Sequence, residues 1–402
     1  MRIVKIARRA KSYWTQLYAS WPGAVDLPYK EQKAWFCSDF FGPVDIWETY
    51  LRKAGHDATD IISGIDPLDA AWTREHGSNE TGFELLLRQV KALDPEVVVL
   101  EAIQSFTLKE IGTLRDQLPK MRALIGVTGY DLRNQPELAA VDVVLTCMPN
   151  QVEFVRSAGG KSVLFPWWFD PRILERLPQE RTVNYNLSFI GSLDPGPHIH
   201  DDRVAFLKRL SAEVDMTIFA AVEKRLWPLA LRFASTSSAY GATRILRAVG
   251  VDVEQFPSSK IRKAALWSRA PRFPYDRKLY SRIRPSFFGI RMFDLLRQSR
   301  TNLNFHIALA GPYAANMRLF EATGVGSCLL TDWKANLVEY FSDDEVVSYR
   351  SVDEAIDRAR WLSNNPRRAE EIGARGQRRT LDSHGFDKRV PLVEEAIRLA
   401  LG

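Results

Sequence analysis

Asn304-Phe305-His306-Ile307-Ala308-Leu309-Ala310-Gly311-Pro312-Tyr313-Ala314-Ala315-Asn316-Met317-Arg318-Leu319-Phe320-Glu321-Ala322-Thr323-Gly324-Val325-Gly326-Ser327-Cys328-Leu329-Leu330-Thr331-Asp332 reads as strand, Gly-Pro loop, helix and strand. Asn316 stands where a helix N-cap is expected, which turns free backbone amides and the positive helix end toward the mouth of a sheet, where a phosphate is favoured. Arg318 falls in the first turn, where the dipole disfavours a cation. A diphosphate gripped by its guanidinium fork accounts for that placement. Glu321 follows on the same face as an acceptor for ribose or sugar hydroxyls. The competing reading is a plain Arg318 to Glu321 surface pair at i, i+3. His306, on an otherwise apolar strand, is either a satisfied core histidine or a donor contact.

Outward from this stretch, short β-branched runs alternate with helical segments. They are Val97 to Leu100, Ala123 to Val127, Val141 to Leu145 and Ser162 to Phe165 in the first half, then Leu187 to Gly191, Met216 to Phe219, Leu303 to Ile307, Cys328 to Asp332 and Glu345 to Tyr349. Such alternation predicts an α/β fold with parallel sheets covered by helices. A chain of 402 residues exceeds the roughly 250–300 that one core sustains, so two domains are expected. The polar, proline-bearing stretch Leu177 to Thr182 sets the boundary, giving domains 1–182 and 183–402, with the last helix packing back on the first domain. Ser351-Val352-Asp353-Glu354 is a capping box.

Composition excludes several classes. At 46% hydrophobic and 26% charged residues the chain is of ordinary globular character. No apolar run reaches the ~18–20 residues of a membrane-spanning helix. The charged N-terminus has no apolar stretch behind it, so a cytoplasmic location is expected. Cys37, Cys147 and Cys328 are too scattered for a disulfide framework or zinc cluster and read as buried thiols. His198 and His200 form a close pair, but no acidic set completes a metal site. From Lys224 to Arg291, fifteen Lys or Arg stand against Asp252, Glu254 and Asp276, interleaved with aromatics. This basic insertion, about 224–291, suits peripheral contact with anionic lipid at the inner membrane face, or forms a solvated helical surface. A nucleic-acid partner is not expected.

The stretch from Asn304 through Asp332, with Asn336 to Phe341 and Glu345 to Arg350, resembles the C-terminal half of CgeB-like bacterial glycosyltransferases, whose C-terminal domain is of the group 1 kind. Asn316, Arg318, Phe320-Glu321-Ala322, Gly324, Gly326 and Thr331-Asp332 match that family's nucleotide-sugar site. Phe189-Ile190-Gly191-Ser192-Leu193 and His200-Asp201-Asp202-Arg203 are similar to its opening Gly-Ser turn and His-x-x-Arg. The first half is similar less specifically, through Tyr130-Asp131, Pro149-Asn150 and Phe165-Pro166.

The resemblance implies a glycosyltransferase-B architecture: two Rossmann-like domains facing a cleft, the donor on the second and the acceptor on the first. It implies donor contacts at Gly191, Ser192, His200, His306, Gly311, Tyr313, Asn316, Arg318 and Glu321, with Arg318 and Glu321 also serving the chemistry. No tightly bound cofactor is implied; a nucleotide-diphosphate sugar is the donor substrate, and a bacterial surface glycan or lipid-linked glycan is the acceptor. Many related retaining enzymes carry glutamate eight positions before the equivalent of Glu321, where this chain has Tyr313. An inverting transfer needs a base in the first half. Candidates are Asp39 in the loop after the first strand, Glu101 at a strand end, and Asp131. The early aromatics Trp14, Tyr18, Trp21, Tyr29, Trp35, Phe36, Phe40 and Phe41 either pack a long loop or stack on an acceptor sugar. Alternatives are a nucleotide-sugar epimerase of the same fold and a non-catalytic sugar-nucleotide or glycan binding protein.

Overall fold

The computed structural model describes residues 1–402 apart from 43–44, 130–131, 133–135, 194–200, 223–224, 254–255, 266, 268–269 and 272–275. Two parallel six-stranded sheets organise the chain. The first comprises β1 (Arg2–Arg8), β2 (Asp57–Ser63), β3 (Val97–Glu101), β4 (Ala123–Thr128), β5 (Val143–Thr146) and β6 (Ser162–Leu164), in the order β2-β1-β3-β4-β5-β6. The second comprises β7 (Tyr185–Ile190), β8 (Thr217–Phe219), β9 (Ile283–Arg284), β10 (Ser299–Asn304), β11 (Cys328–Asp332) and β12 (Val347–Tyr349), ordered β12-β11-β10-β7-β8-β9. The α/β architecture with two parallel sheets is the one expected.

β3, β4 and β5 are buried on both faces, which is why each reads as an unbroken apolar run. β1 and β2 were not among the expected strands. Lys5 and Asp60 sit opposite each other in their register and each residue is 1% exposed. The Lys5 ammonium lies 3.0 Å from Glu101 and 3.7 Å from Asp60, so the charges are paired inside the domain. Burial raises the Asp60 carboxyl to about 7, against the pull of Lys5.

The chain passes between the sheets twice. One passage is the segment after β6. The Phe169 amide donates to the His384 carbonyl at 2.9 Å and Phe169 bridges Gly385, so the return passage runs alongside the first. Arg389 then donates to the carbonyls of Pro166 and Trp167, both at 2.9 Å. Beyond it the helix Val390–Leu401 buries Val393, Ala396 and Ile397 in the core that β3, β4 and β5 form with Trp47 and Leu51.

The basic insertion is shorter than expected. Leu279, Tyr280 and Ile283 belong to the core of the second sheet, and Met292, Phe293 and Leu296 to the cluster on its other face. Among the described residues of this stretch, the helix pair Leu226–Ala248 and Ser259–Ala265 gives that core Leu229 alone. Of the early aromatics, Trp14, Tyr18 and Phe36 pack with Tyr13, Ile62 and Leu68, with Tyr29 and Trp35 against them, so the packing reading holds for these. Ser351 caps the helix Val352–Asn364 by accepting from the Glu354 amide at 3.1 Å, while Glu354 takes the Arg350 amide instead of closing the box on Ser351. All three cysteines are buried and free.

Candidate active site

In open parallel sheets, ligands bind beyond the carboxyl ends of strands where the strand order reverses. In the second sheet that reversal falls between β7 and β10. A cavity of about 460 Å³ opens there, lined by Gly191 after β7, by Asn304 to Ile307 at the end of β10, and by Asn316, Arg318 and Glu321. Phe40, Phe41, Asp45, Trp167 and Trp168 from the first half of the chain close it from the other side.

Arg203 spans the reversal. Its guanidinium donates to the Ser192 carbonyl at 3.1 Å and to the Phe305 carbonyl at 2.8 Å, tying the loops after β7 and β10 together. Burial lowers its pKa to about 10, so it stays a cation in neutral solution. The sequence pattern held Arg203 within a His-x-x-Arg match, yet only the fold shows that it shapes the mouth of the site.

His306 is buried, its side chain 0% exposed, with Nδ1 2.7 Å from Asp332 Oδ1. The His306 amide donates to the same oxygen at 3.0 Å, and Lys334 lies 3.4 Å from Oδ2. Burial works against ionisation of Asp332; the His306 donors and the Lys334 charge overcome it and hold the carboxyl below the usual range. An ionised Asp332 requires Nδ1 to be the donor, which leaves Nε2 as the ring's remaining polar atom. Nε2 is buried with no partner among the described residues.

A second buried chain lies beside it. Asn304 donates to Thr331 Oγ1 at 2.9 Å, and its carbonyl oxygen accepts from Asn316 Nδ2 at 2.6 Å. Asn316 Oδ1 is then left buried without a donor among the described residues. Each orphaned polar atom costs about 1–3 kcal/mol unless something supplies its bond. Two such polar atoms on one cavity wall favour a ligand rich in hydroxyls, which both donate and accept.

Asn316 is therefore not the N-cap that was expected. The helix runs Arg318–Gly324 with Met317 at the cap position, and Met317 carbonyl oxygen accepts from Phe320 and Glu321. Arg318 pairs with Glu321 at 3.0 Å, with side-chain exposures of 15% and 9%, and also reaches Met292 sulfur at 3.6 Å. The pair of the competing reading is formed, but inside the cavity rather than on the surface.

Several expected residues lie elsewhere. Asp39 follows the helix Tyr29–Cys37 and does not line the cavity. Its carboxylate accepts from Tyr13 hydroxyl at 2.9 Å and from the Ile290 amide at 3.3 Å, joining the first half of the chain to the start of the helix Gly289–Gln298. Gly289 is required there: φ is +56°, and a Cβ would overlap Asp39. Glu101 is held by Lys5 at 3.0 Å and Arg9 at 2.8 Å. Burial opposes its ionisation, and Arg9 then Lys5 overcome this to keep its pKa low. A carboxylate so paired is a poor proton acceptor. Gly311, Tyr313 and Ser192 sit outside the cavity lining, and the Ser192 carbonyl accepts from Arg203. Asp131, His198 and His200 lie outside the described residues.

On the opposing wall, Arg172 grips Asp45 at 2.8 Å and Asp170 at 2.6 Å. Among the described lining residues every carboxylate is thus bound to an arginine. Phe40 and Phe41, with Trp167 and Trp168, supply the aromatic surface. No group of three or more His, Cys, Asp or Glu able to hold a metal forms among the described residues.

Residues 247–395 match the family described as glycosyl transferase-like, a span that holds His306, Asn316, Arg318, Glu321 and Asp332. Solved structures extend the likeness to the whole length. Anabaena Alr3699/HepE in complex with UDP and glucose aligns at TM-score 0.55 and 10% identity, covering 99% of each chain. AviGT4, a glycosyltransferase involved in avilamycin A biosynthesis, aligns at 0.53 and 15% identity over 100% of this chain and 98% of its own. An alpha-glucosyltransferase in complex with UDP and a 13-mer DNA aligns at 0.54 and 12% identity over 100% of both.

The chain carries a glycosyl transferase-like domain over residues 247–395 within a fold shared with solved glycosyltransferases. At these identities the solved structures show the fold, the glycosyltransferase-B arrangement, and the family match places the glycosyl transferase-like domain in the second half. Comparison with curated protein sequences gives no match.

Proposed function

We propose that the chain transfers a glycosyl group from a nucleoside-diphosphate sugar to a bacterial surface glycan or a lipid-linked glycan, at the inner face of the cytoplasmic membrane. The observation that carries this reading is the pair of buried polar atoms without a partner among the described residues, His306 Nε2 and Asn316 Oδ1, beside the Arg318 and Glu321 pair in a cavity at the strand-order reversal. Hydroxyls of the donor sugar, able to donate and accept, satisfy both atoms. Arg318 offsets the charge that develops on the leaving diphosphate, a contribution worth most inside a closed cleft. Glu321, released from part of its hold on Arg318, accepts from ribose hydroxyls. The solved structures bound to UDP support a uridine diphosphate donor, and the resemblance to CgeB-like enzymes supports the surface-glycan acceptor.

The aromatic wall of Phe40, Phe41, Trp167 and Trp168 offers rings on which an acceptor sugar stacks. With Asp45 and Asp170 bound to Arg172, Asp131 is our candidate base for an inverting transfer. A thermal-shift panel of UDP, GDP, TDP, CMP and ADP tests the donor site. Selective stabilisation by one nucleotide, lost in Arg318→Ala, is expected; turnover of the matching nucleotide sugar with a glycan acceptor then separates transfer from epimerisation, which releases product without an acceptor. No shift with any nucleotide refutes the reading.

A further inference from the structure

The helix Leu226–Ala248 is the longest in the described structure, at 23 residues, and only Leu229 and Thr243 are buried along it. Leu229 enters the core of the second sheet. Further along, the helix leans on its short neighbour Ser259–Ala265: Thr243 accompanies Ile261, Arg247 donates to the Ala265 carbonyl at 2.8 Å, and Tyr240 stacks near Trp267. These contacts use one face.

The opposite face carries Trp227, Leu231, Ala234, Ser238, Ile245 and Val249, which fall within about a third of the helical circumference at 100° per residue. Trp227 is 74%, Leu231 55%, Ile245 66% and Val249 69% exposed. At 1.5 Å per residue the stripe is about 33 Å long. Isolated exposed apolar residues are ordinary; an aligned set of this length on a helix with no acidic residue marks an interaction surface.

The charge around it selects the partner. Arg244 flanks the stripe on one side and Arg232 on the other, where Lys260 of the neighbouring helix reaches Ser235 Oγ at 3.4 Å, while Arg247 belongs to the packed face. A second copy of the chain would bring a like-charged helix against this one, which like-charge repulsion disfavours. A nucleic acid would face the tryptophan and aliphatic crest, not the cations. An anionic bilayer suits both features, since apolar side chains enter the headgroup boundary while arginines meet lipid phosphates.

We infer that the outer face of the helix Leu226–Ala248 inserts at the surface of an anionic lipid membrane, with the arginines on its borders binding headgroups. This names the surface behind the membrane location proposed above and does not depend on the donor site.

The test is co-sedimentation of the full-length protein with phosphatidylcholine vesicles and with vesicles that also contain phosphatidylglycerol. Binding to the anionic vesicles at least tenfold above the neutral ones is expected. Trp227→Ser combined with Leu231→Ser and Ile245→Ser should cut that binding at least tenfold while leaving the melting temperature and nucleotide stabilisation unchanged. These side chains are exposed, so folding should survive; Trp227→Ser alone, with a smaller loss, serves as the check. Equal sedimentation with both vesicle types, undiminished binding of the triple variant, or a stripe whose replacement changes only the oligomeric state in light scattering would each overturn the inference. Loss of nucleotide stabilisation in the unaltered protein would overturn the donor reading and leave this one standing.

Discussion

Removing the Arg318 guanidinium separates its structural from its chemical role. Arg318 and Glu321 are 3.0 Å apart with 15% and 9% of their side chains exposed, so the methionine variant leaves a carboxylate largely buried and unpaired. Breaking a buried pair on one side costs about 3–5 kcal/mol; the residual solvent access here brings the expectation to about 2–3 kcal/mol. Taking both charges away, in Arg318→Met with Glu321→Gln, should return stability to within ~1 kcal/mol of the unaltered chain, because nothing charged is stranded. Ligand binding should not return. A nucleotide at 100 times its dissociation constant adds about 2.7 kcal/mol to a native state that binds it. For a domain of roughly 150–250 residues, that is a rise of about 5–10 °C in melting temperature. Differential scanning fluorimetry with and without nucleotide reads both quantities. A double variant that keeps the full nucleotide shift refutes the assignment of Arg318 to the diphosphate. A single variant as stable as the parent refutes the claim that Glu321 needs its partner.

His306→Phe and Asn316→Ala should each weaken nucleotide-sugar binding by about tenfold, as expected for one lost hydrogen bond of ~1.4 kcal/mol, while binding of the bare nucleotide changes little; calorimetric titration of both ligands distinguishes this from general damage to the cleft. Gly289→Ala should loosen the junction at Asp39, since the new methyl group meets the Asp39 carboxylate and backbone at a φ of +56°; a cost of about 3 kcal/mol is expected from strain plus the lost amide bond, seen as an earlier or divided transition in scanning calorimetry. Burial holds His384 down to about 4, helped by the Arg389 and Arg379 charges. The unfolded chain takes up that proton near pH 6.5, earlier than the native state, so the stabilisation is whole above pH 6.5 and drains on the order of 3 kcal/mol as pH falls to 4. His384→Gln should flatten that part of a urea-denaturation pH profile; an unchanged slope would count against the burial argument.

The sheets were legible where burial is uniform and hidden where charge intrudes. Val97 to Leu100 and Ala123 to Val127 present continuous apolar runs because helices cover both faces of β3 and β4. β1 and β2 break that pattern with Lys5 and Asp60, whose compatibility with a strand depends on their meeting each other, a contact 55 residues apart that local pattern cannot display. Arg318 and Glu321 could be singled out from spacing alone, since i, i+3 places them on one face. Asn316 was misread as a cap because its real partner, Asn304, lies across a loop. Asp39 looked like a crevice acid for the same reason: the Ile290 amide that engages it is 251 residues away. Local chemistry names the residue type, and only the fold says which neighbour claims it.

The helix Val390–Leu401 covers the first sheet although it is translated after every strand of the second. Between the end of β6 and that helix lie some two hundred residues, which a ribosome moving at about 5–20 residues per second delivers in roughly 10–45 s. During that interval the face of β3, β4 and β5 that receives Val393, Ala396 and Ile397 has the cover of Trp47 and Leu51 but lacks the part this helix supplies. The first sheet must wait, sticky on one side, for the second domain to be synthesised. Nascent chains stalled before residue 390 should therefore be the form most prone to aggregate and most in need of chaperone binding, even though every strand of the first sheet has already left the peptidyl transferase centre.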